Sequence, residues 1–500
     1  MIDWDSPKGV LCGVAIYFAV LMLIAWRTGR NASNAQFFLA SRRANWFVVS
    51  FGMIGATLSG VTFTSIPGLV GSSGFSYWLL VAGYVLGYAM IATVLLPLYY
   101  RLKLTSIYGY LGHRFGMWSF RTGSAMFLVS QLLISSLRLL LLVEIVHRFA
   151  LAELGVPFWG SVVVSLALIW TYTFRGGIHT IVWTDVFQTS FMLAAVGWSI
   201  WAAAQILDRG WIDVANAWTP ETAWIFRYDD FWSNAWQLVH AVVSGALITI
   251  AMTGLDQDMM QKNLSCRTLV QSQRNMALFT IFLALVNLLF LFWGAVLYFT
   301  ARQRGIVLPI ETDLVYPTMA FGHLASGTGV IFLLGMIAAT FSGADASLTA
   351  LTTTTCVDFL GFTESSDGRT HRRFRVGVHL IYAALTFVVI MLLRQLTSGQ
   401  ATIQSLLFMV GLTYGPLLGL FTFGLLTRRQ LREPLVPLVC ILAPIFAYVL
   451  EDRNFFCGVK LGLLLIAVNA GLTWLGLLVI SRGAEFEKDQ TCPTGTEDIR

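Results

Sequence analysis

Arg138 stands near the middle of an apolar run covering residues 121–149, too far from either end for its head to reach water by snorkelling. A guanidinium in that setting needs an anion. Gln131, Ser135 and Arg138 follow i, i+4 and i+7 spacing, so one helix face carries a polar stripe with a fixed positive charge. Arginine pairs with carboxylates through two parallel hydrogen bonds, which makes an organic acid or an acidic sugar a reasonable substrate class. The competing reading is an internal salt bridge with Asp185 or Glu144. Asp185 and Asp345 lie in other apolar runs, where a carboxylate costs roughly 2.5–3.5 kcal/mol at the centre of a membrane helix, so each calls for a partner. Either could also be a hydrated structural acid near a helix end.

The backbone carries a second signal. Gly55-Ala56-Thr57-Leu58-Ser59-Gly60, followed by Pro67-Gly68, interrupts a stretch long enough to cross a bilayer. In hydrocarbon each unpaired N–H or C=O costs several kcal/mol, so such a break is viable only where freed carbonyls face a cavity or an ion. That arrangement belongs to transport.

The elements that hold these residues follow from composition. The chain is 57% hydrophobic and 12% charged, with mean hydropathy +0.72, values outside the range of soluble domains. It reads as an all-α polytopic membrane protein with about 13 transmembrane helices, near 8–26, 46–70, 77–100, 121–149, 157–175, 178–207, 231–256, 274–301, 326–358, 374–396, 400–427, 435–451 and 459–481. The first span lacks a cleavage site and has an acidic flank (Asp3, Asp5), so it is expected to remain. Every second loop is basic: Arg27, Arg30, Arg42 and Arg43; Arg101, Lys103, Arg114 and Arg121; Lys262, Arg267 and Arg274; Arg369, Arg372, Arg373 and Arg375; Arg428, Arg429 and Arg432. The positive-inside rule makes those loops cytoplasmic, with the N-terminus outside and the C-terminus inside, in a plasma membrane of bacterial inner-membrane type.

The net charge of +6 is therefore a topology signal, and no nucleic-acid partner is expected. Six cysteines (Cys12, Cys266, Cys356, Cys440, Cys457, Cys492) are scattered without metal-ligand spacing, and the polar tail 483–500 reads as disordered. Residues 1–45 form the outside segment, first span and basic loop; 46–427 a ten-helix core divided into repeats 46–207 and 231–427; 428–482 two further spans.

A second weak stretch, Ser244-Gly245 through Met252-Thr253-Gly254, falls five spans after the first. Two five-span halves that each open with a broken helix are the pattern of an inverted-repeat transporter with its sites near the bilayer midplane. Phe37-Phe38-Leu39-Ala40-Ser41-Arg42-Arg43-Ala44-Asn45-Trp46, Gly176-Gly177 with Trp183-Thr184-Asp185-Val186-Phe187-Gln188, Asp256-Gln257-Asp258-Met259-Met260-Gln261-Lys262, and Ala339-Thr340-Phe341-Ser342 together resemble the sodium:solute symporter family. The resemblance runs from about residue 37 to 358. It implies a LeuT-type 5+5 inverted-repeat core in the second to eleventh spans, one extra helix before it and two after, and sodium-coupled uptake by alternating access.

Carried over residue by residue, the family's main sodium site falls on the carbonyls of Gly55 and Leu58 and on Ala339, Ser342 and Gly343 of the ninth span. Gly343 departs from the pattern, since it offers no side-chain oxygen. Some members place a second sodium against an aspartate matching Asp185 and small hydroxyl residues of the ninth span, where Asp345 now stands. A second cation or proton locus is expected there, which allows one or two Na+ per cycle, or H+. Within the family the pattern is similar to bacterial sialic acid symporters, whose matching substrate contacts are Arg138 with the hydroxyls of Thr57, Ser59 and Thr62.

The expected function is a sodium-coupled symporter for a small, carboxylated and anionic solute such as sialic acid or another organic acid, working as a monomer. The alternative is a proton-coupled or uncoupled transporter or sensor of the same fold. Each sodium entering down a 100 mV interior-negative potential contributes about 2.3 kcal/mol, roughly fifty-fold in accumulation. No Walker-type loop is visible, so no nucleotide-driven pump is expected. Nor do the polar residues form a catalytic constellation, so no enzyme is expected.

Overall fold

The computed structural model describes residues 7–29, 37, 40–173, 177–219, 223–226, 231–362, 369–396, 402–452 and 462–482. The tail 483–500, Cys457, Cys492, Arg30 and Gly176 lie outside the described residues.

Helix α1 (Pro7–Gly29) precedes a broken pair, α2 (Trp46–Thr57) and α3 (Gly60–Ser73), whose axes bend by 63°. Asn45 starts α2 by accepting a hydrogen bond from Phe47 N at 2.9 Å, the usual way of satisfying an orphan donor. Leu58 N donates to Ile54 O at 2.8 Å, and Ser59 is extended (φ −69, ψ 171), which takes the chain out of the helical ladder before Gly60 restarts it. The carbonyls that follow Ile54 are thereby released, as at any helix end.

Next come α4 (Tyr77–Arg101), α5 (Met117–Phe149), α6 (Phe158–Thr173) and α7 (Gly177–Ile206). The second half holds α8 (Phe231–Gly254), short α9 (Gln257–Leu264), α10 (Leu269–Arg304), α11 (Thr328–Phe359), α12 (Arg369–Leu396) and α13 (Thr402–Leu426). Helices α14 (Val436–Asp452) and α15 (Leu465–Ile480) close the described chain. Among the described residues, eleven helices are long and apolar enough to span a membrane and the α2/α3 pair makes a twelfth. The shorter α6 brings the number to about thirteen, as the hydropathy reading expected.

The second break comes at the C-terminal end of the weak stretch 244–254. Ser244 and Gly245 sit inside continuous helix, and the ladder fails at Leu255 and Asp256 after a π-helical turn at Ile250–Gly254. Asp256 then caps α9, accepting from Asp258 N at 2.8 Å. Gly245 has another use: a Cβ there would lie 2.3 Å from Leu80 O and 3.1 Å from Gly83 Cα, so this glycine lets α8 and α4 touch backbone to backbone.

α11 is the central post. Of its apolar window 94% is buried, against 22% for α14 at the periphery, whose exposed Leu438, Ile441, Ile445 and Phe446 suit a lipid-facing surface. α11 packs on α7, α2 and α5, and α14 and α15 pack on α13.

The basic loops meet at one end. Arg114 donates to Thr427 O at 2.9 Å and Arg429 O at 3.0 Å, Ala44 N donates to Ser265 O at 3.1 Å, and Asp358 accepts from Ser106 at 2.8 Å and Ser124 at 2.6 Å. At the opposite end Asp313 ties α3 to α13, accepting from Ser65 Oγ at 2.6 Å and Thr402 N at 2.8 Å.

Candidate substrate and ion site

The break in α2/α3 lies against α7 and α11. Gly55 N donates to Thr189 Oγ1 at 3.0 Å, and a Cβ on Gly55 would stand 2.5 Å from that oxygen and 3.2 Å from Ser342 Oγ. Glycine is what allows the approach. Gly55 therefore lies against Ser342, and Ala339 and Ser342 are both wholly buried on α11. Oxygen donors of this kind fit a hard cation such as sodium. At the fifth position, a Cβ on Gly343 would sit 3.5 Å from Ala56 O and 3.7 Å from Arg138 Nη1, so the space of the missing side chain borders the guanidinium.

That guanidinium lines a cavity of about 90 Å3 beside the break. Thr57, Ser59 and Thr62 contribute from α2 and α3, Tyr77, Tyr84 and Tyr88 from α4, Thr249 and Thr253 from α8, and Asn287 from α10. Above it, a larger vestibule of about 590 Å3 is lined by Leu69, Ser72, Leu137, Glu144, Arg394 and Gln404 among others. The basic end is closed by contrast: all of α9 is buried, Tyr99 OH donates to Gly254 O at 2.9 Å, Tyr108 OH to Leu255 O at 2.9 Å, and Gln257 Nε2 to Thr105 O at 2.9 Å.

Two members of the predicted polar stripe do something other than line the cavity. Gln131 is buried in a network, donating to Ser347 Oγ at 2.8 Å and Asp258 Oδ2 at 3.3 Å and accepting from Tyr414 OH at 3.2 Å, while Tyr414 also bonds Asp256. Ser135 Oγ donates to Leu132 O at 3.3 Å within its own helix. Helical spacing aligned the stripe correctly, but α9 and α13 cover its lower part.

Asp185 does not pair with Arg138, the partner weighed from sequence. Its Oδ2 accepts from Lys262 Nζ at 2.8 Å and its Oδ1 from Ser342 Oγ at 2.6 Å, with Lys262 and Asp185 each about 1% exposed. Asp258 Oδ1 stands 3.9 Å from the same ammonium. Asp345 is also wholly buried on α11. Lys262, counted from sequence as a basic loop residue, is thus an interior charge. Sequence reasoning also missed Asp256, Asp258, Thr189 and Tyr414. The available signal was Asp258 and Lys262 at i, i+4 just after an Asp cap, a pattern that pairs charges on one helix face.

Comparison with known proteins agrees with this architecture. The model of the sodium:solute symporter family matches residues 37–432. The chain is 24% identical to human sodium-coupled monocarboxylate transporter 1 over 84% of its own length and 71% of that protein's. It is 23% identical to the sodium/sialic acid symporter SiaT of Proteus mirabilis, over 91% and 93%. The solved substrate-bound, outward-open structure of a Na+-coupled sialic acid symporter superposes with TM-score 0.75 at 20% identity, covering 95% of this chain and 97% of that one. A polytopic bundle with a broken helix against a buried post defines a secondary transporter with the LeuT-like fold. The chain belongs to the sodium:solute symporter family; it is a membrane transporter coupled to Na+, and not an enzyme.

Proposed function

We propose that the chain imports a small organic acid together with sodium, the substrate carboxylate meeting Arg138 and its remaining polar atoms meeting Thr57, Ser59 and Thr62. The observation that carries this reading is the guanidinium on the wall of a cavity that the broken helix also lines. Sodium, held by the carbonyls of Gly55, Leu58 and Ala339 and by Ser342 Oγ, supplies positive charge that ties the break to α11. Because substrate hydroxyl contacts and ion carbonyls alternate along residues 55–62, ordering one ligand's contacts orders the other's.

With the basic loops in the cytoplasm of a bacterial inner membrane, the vestibule opens outward and the sealed end faces the cell, N-terminus outside and C-terminus inside.

The test is uptake of radiolabelled lactate, pyruvate and N-acetylneuraminate into proteoliposomes under an imposed sodium or proton gradient. Sodium-dependent accumulation of at least one of these acids is expected. Uptake of none of them would sink the carboxylate reading, and accumulation on a proton gradient without sodium would sink the coupling.

A further inference from the structure

Arg138 and the break account for one cation and one anion, and they leave a buried charge cluster unused. Lys262 reaches from α9 into the space between α7 and α11, where Asp185 and Ser342 come together. Its ammonium is a monovalent cation with donors on one side only, and it already holds Asp185 Oδ2 at 2.8 Å while Ser342 Oγ takes Oδ1 at 2.6 Å. Asp258 Oδ1 stands on its other flank at 3.9 Å.

A second sodium at Asp185 does not fit this arrangement. It would have to displace a lysine about 1% exposed and leave that ammonium without its partner in the protein interior, which is strongly unfavourable. Both Asp185 oxygens are engaged, and the Ser342 hydroxyl proton points at Asp185, which leaves the serine oxygen's lone pairs for the main site.

We infer that Lys262 is a tethered cation that permanently fills the second ion locus, so that the transporter binds a single sodium ion per chain. Lysine suits this role because its charge is compact and its stem flexible, so the ammonium can follow Asp185 when α9 shifts against α7. The same pair ties α9 to α7, and Ser342 of α11 bonds the same carboxylate. This inference rests on the sodium-coupled reading above for its functional meaning, but its geometry stands independently.

Equilibrium binding of 22Na+ to purified protein in nanodiscs, without substrate, tests it. Wild type should saturate at one ion per chain. Lys262→Ala, which exposes Asp185 to the medium's cations, should saturate at two, and the Lys262→Ala/Asp185→Asn double variant should return to one. Two ions on the wild type would overturn the inference, as would one ion on a Lys262→Ala protein that elutes as a monodisperse peak. Should Lys262→Ala aggregate, Lys262→Met, which fills the buried stem's space without its charge, takes its place in the count. No binding by wild type with one ion gained in Lys262→Ala would uphold the tethered cation while removing the sodium-coupled reading.

Discussion

In the proposed function Arg138 carries the greatest weight of any single side chain. Hydrogen bonds to a charged group contribute about 1.5–3 kcal/mol, so Arg138→Ala should weaken substrate binding roughly ten- to hundredfold, read as the concentration giving half-maximal uptake. Arg138→Lys should recover only part of this, because an ammonium cannot reproduce the two-pronged contact with a carboxylate. Gly343 offers a gain instead of a loss. A serine there adds an oxygen beside Ala56 O in a position where its Cβ meets only ordinary contacts, so Gly343→Ser should lower the half-saturating sodium concentration by about fivefold, about 1 kcal/mol. Both residues stood out in the sequence, the first as a charge stranded in an apolar run and the second as a departure from the family's hydroxyl pattern, and the structure places them side by side, a Cβ on Gly343 lying 3.7 Å from Arg138 Nη1. Lys262 did not. The run Asp256 to Lys262 is hydrophilic and reads as loop, and only the packing of α9 under α7 and α11 turns it into an interior element.

At the scale of elements, the first break was legible because small residues and Pro67-Gly68 crowd one membrane-length stretch. The second falls at the C-terminal end of the weak stretch 244–254, and its first residues, Ser244 and Gly245, stay helical because small residues serve two ends: they weaken helices, and they let helices touch. Gly245 does the latter. Gly245→Ala would drive a Cβ to 2.3 Å from a backbone carbonyl that cannot swing aside, so it should cost about 1–3 kcal/mol and lower the melting temperature in detergent, while a substitution at exposed Val243 on the same helix should leave it unchanged. Equal melting of the two variants would show that α4 and α8 do not depend on that contact.

For the whole molecule, the span number and the alternation of basic loops could be read from hydropathy and charge, whereas which end is open could not, since that depends on whether α9 and the loops at the basic end are docked. The vestibule and the sealed end together make a prediction about access. A cysteine at exposed Gln404 should react with a membrane-impermeant maleimide added to intact cells, and one at Gln261 on buried α9 should not. Added substrate and sodium should slow the first reaction as the vestibule closes. Reaction at Arg428→Cys from outside would reverse the proposed orientation.

The tethered lysine has one more consequence, for energetics. If a single Na+ accompanies a single carboxylate, the moving cargo carries no net charge and the cycle is electroneutral. Import is then powered by the sodium concentration ratio alone, and a cell whose membrane is depolarised keeps its uptake.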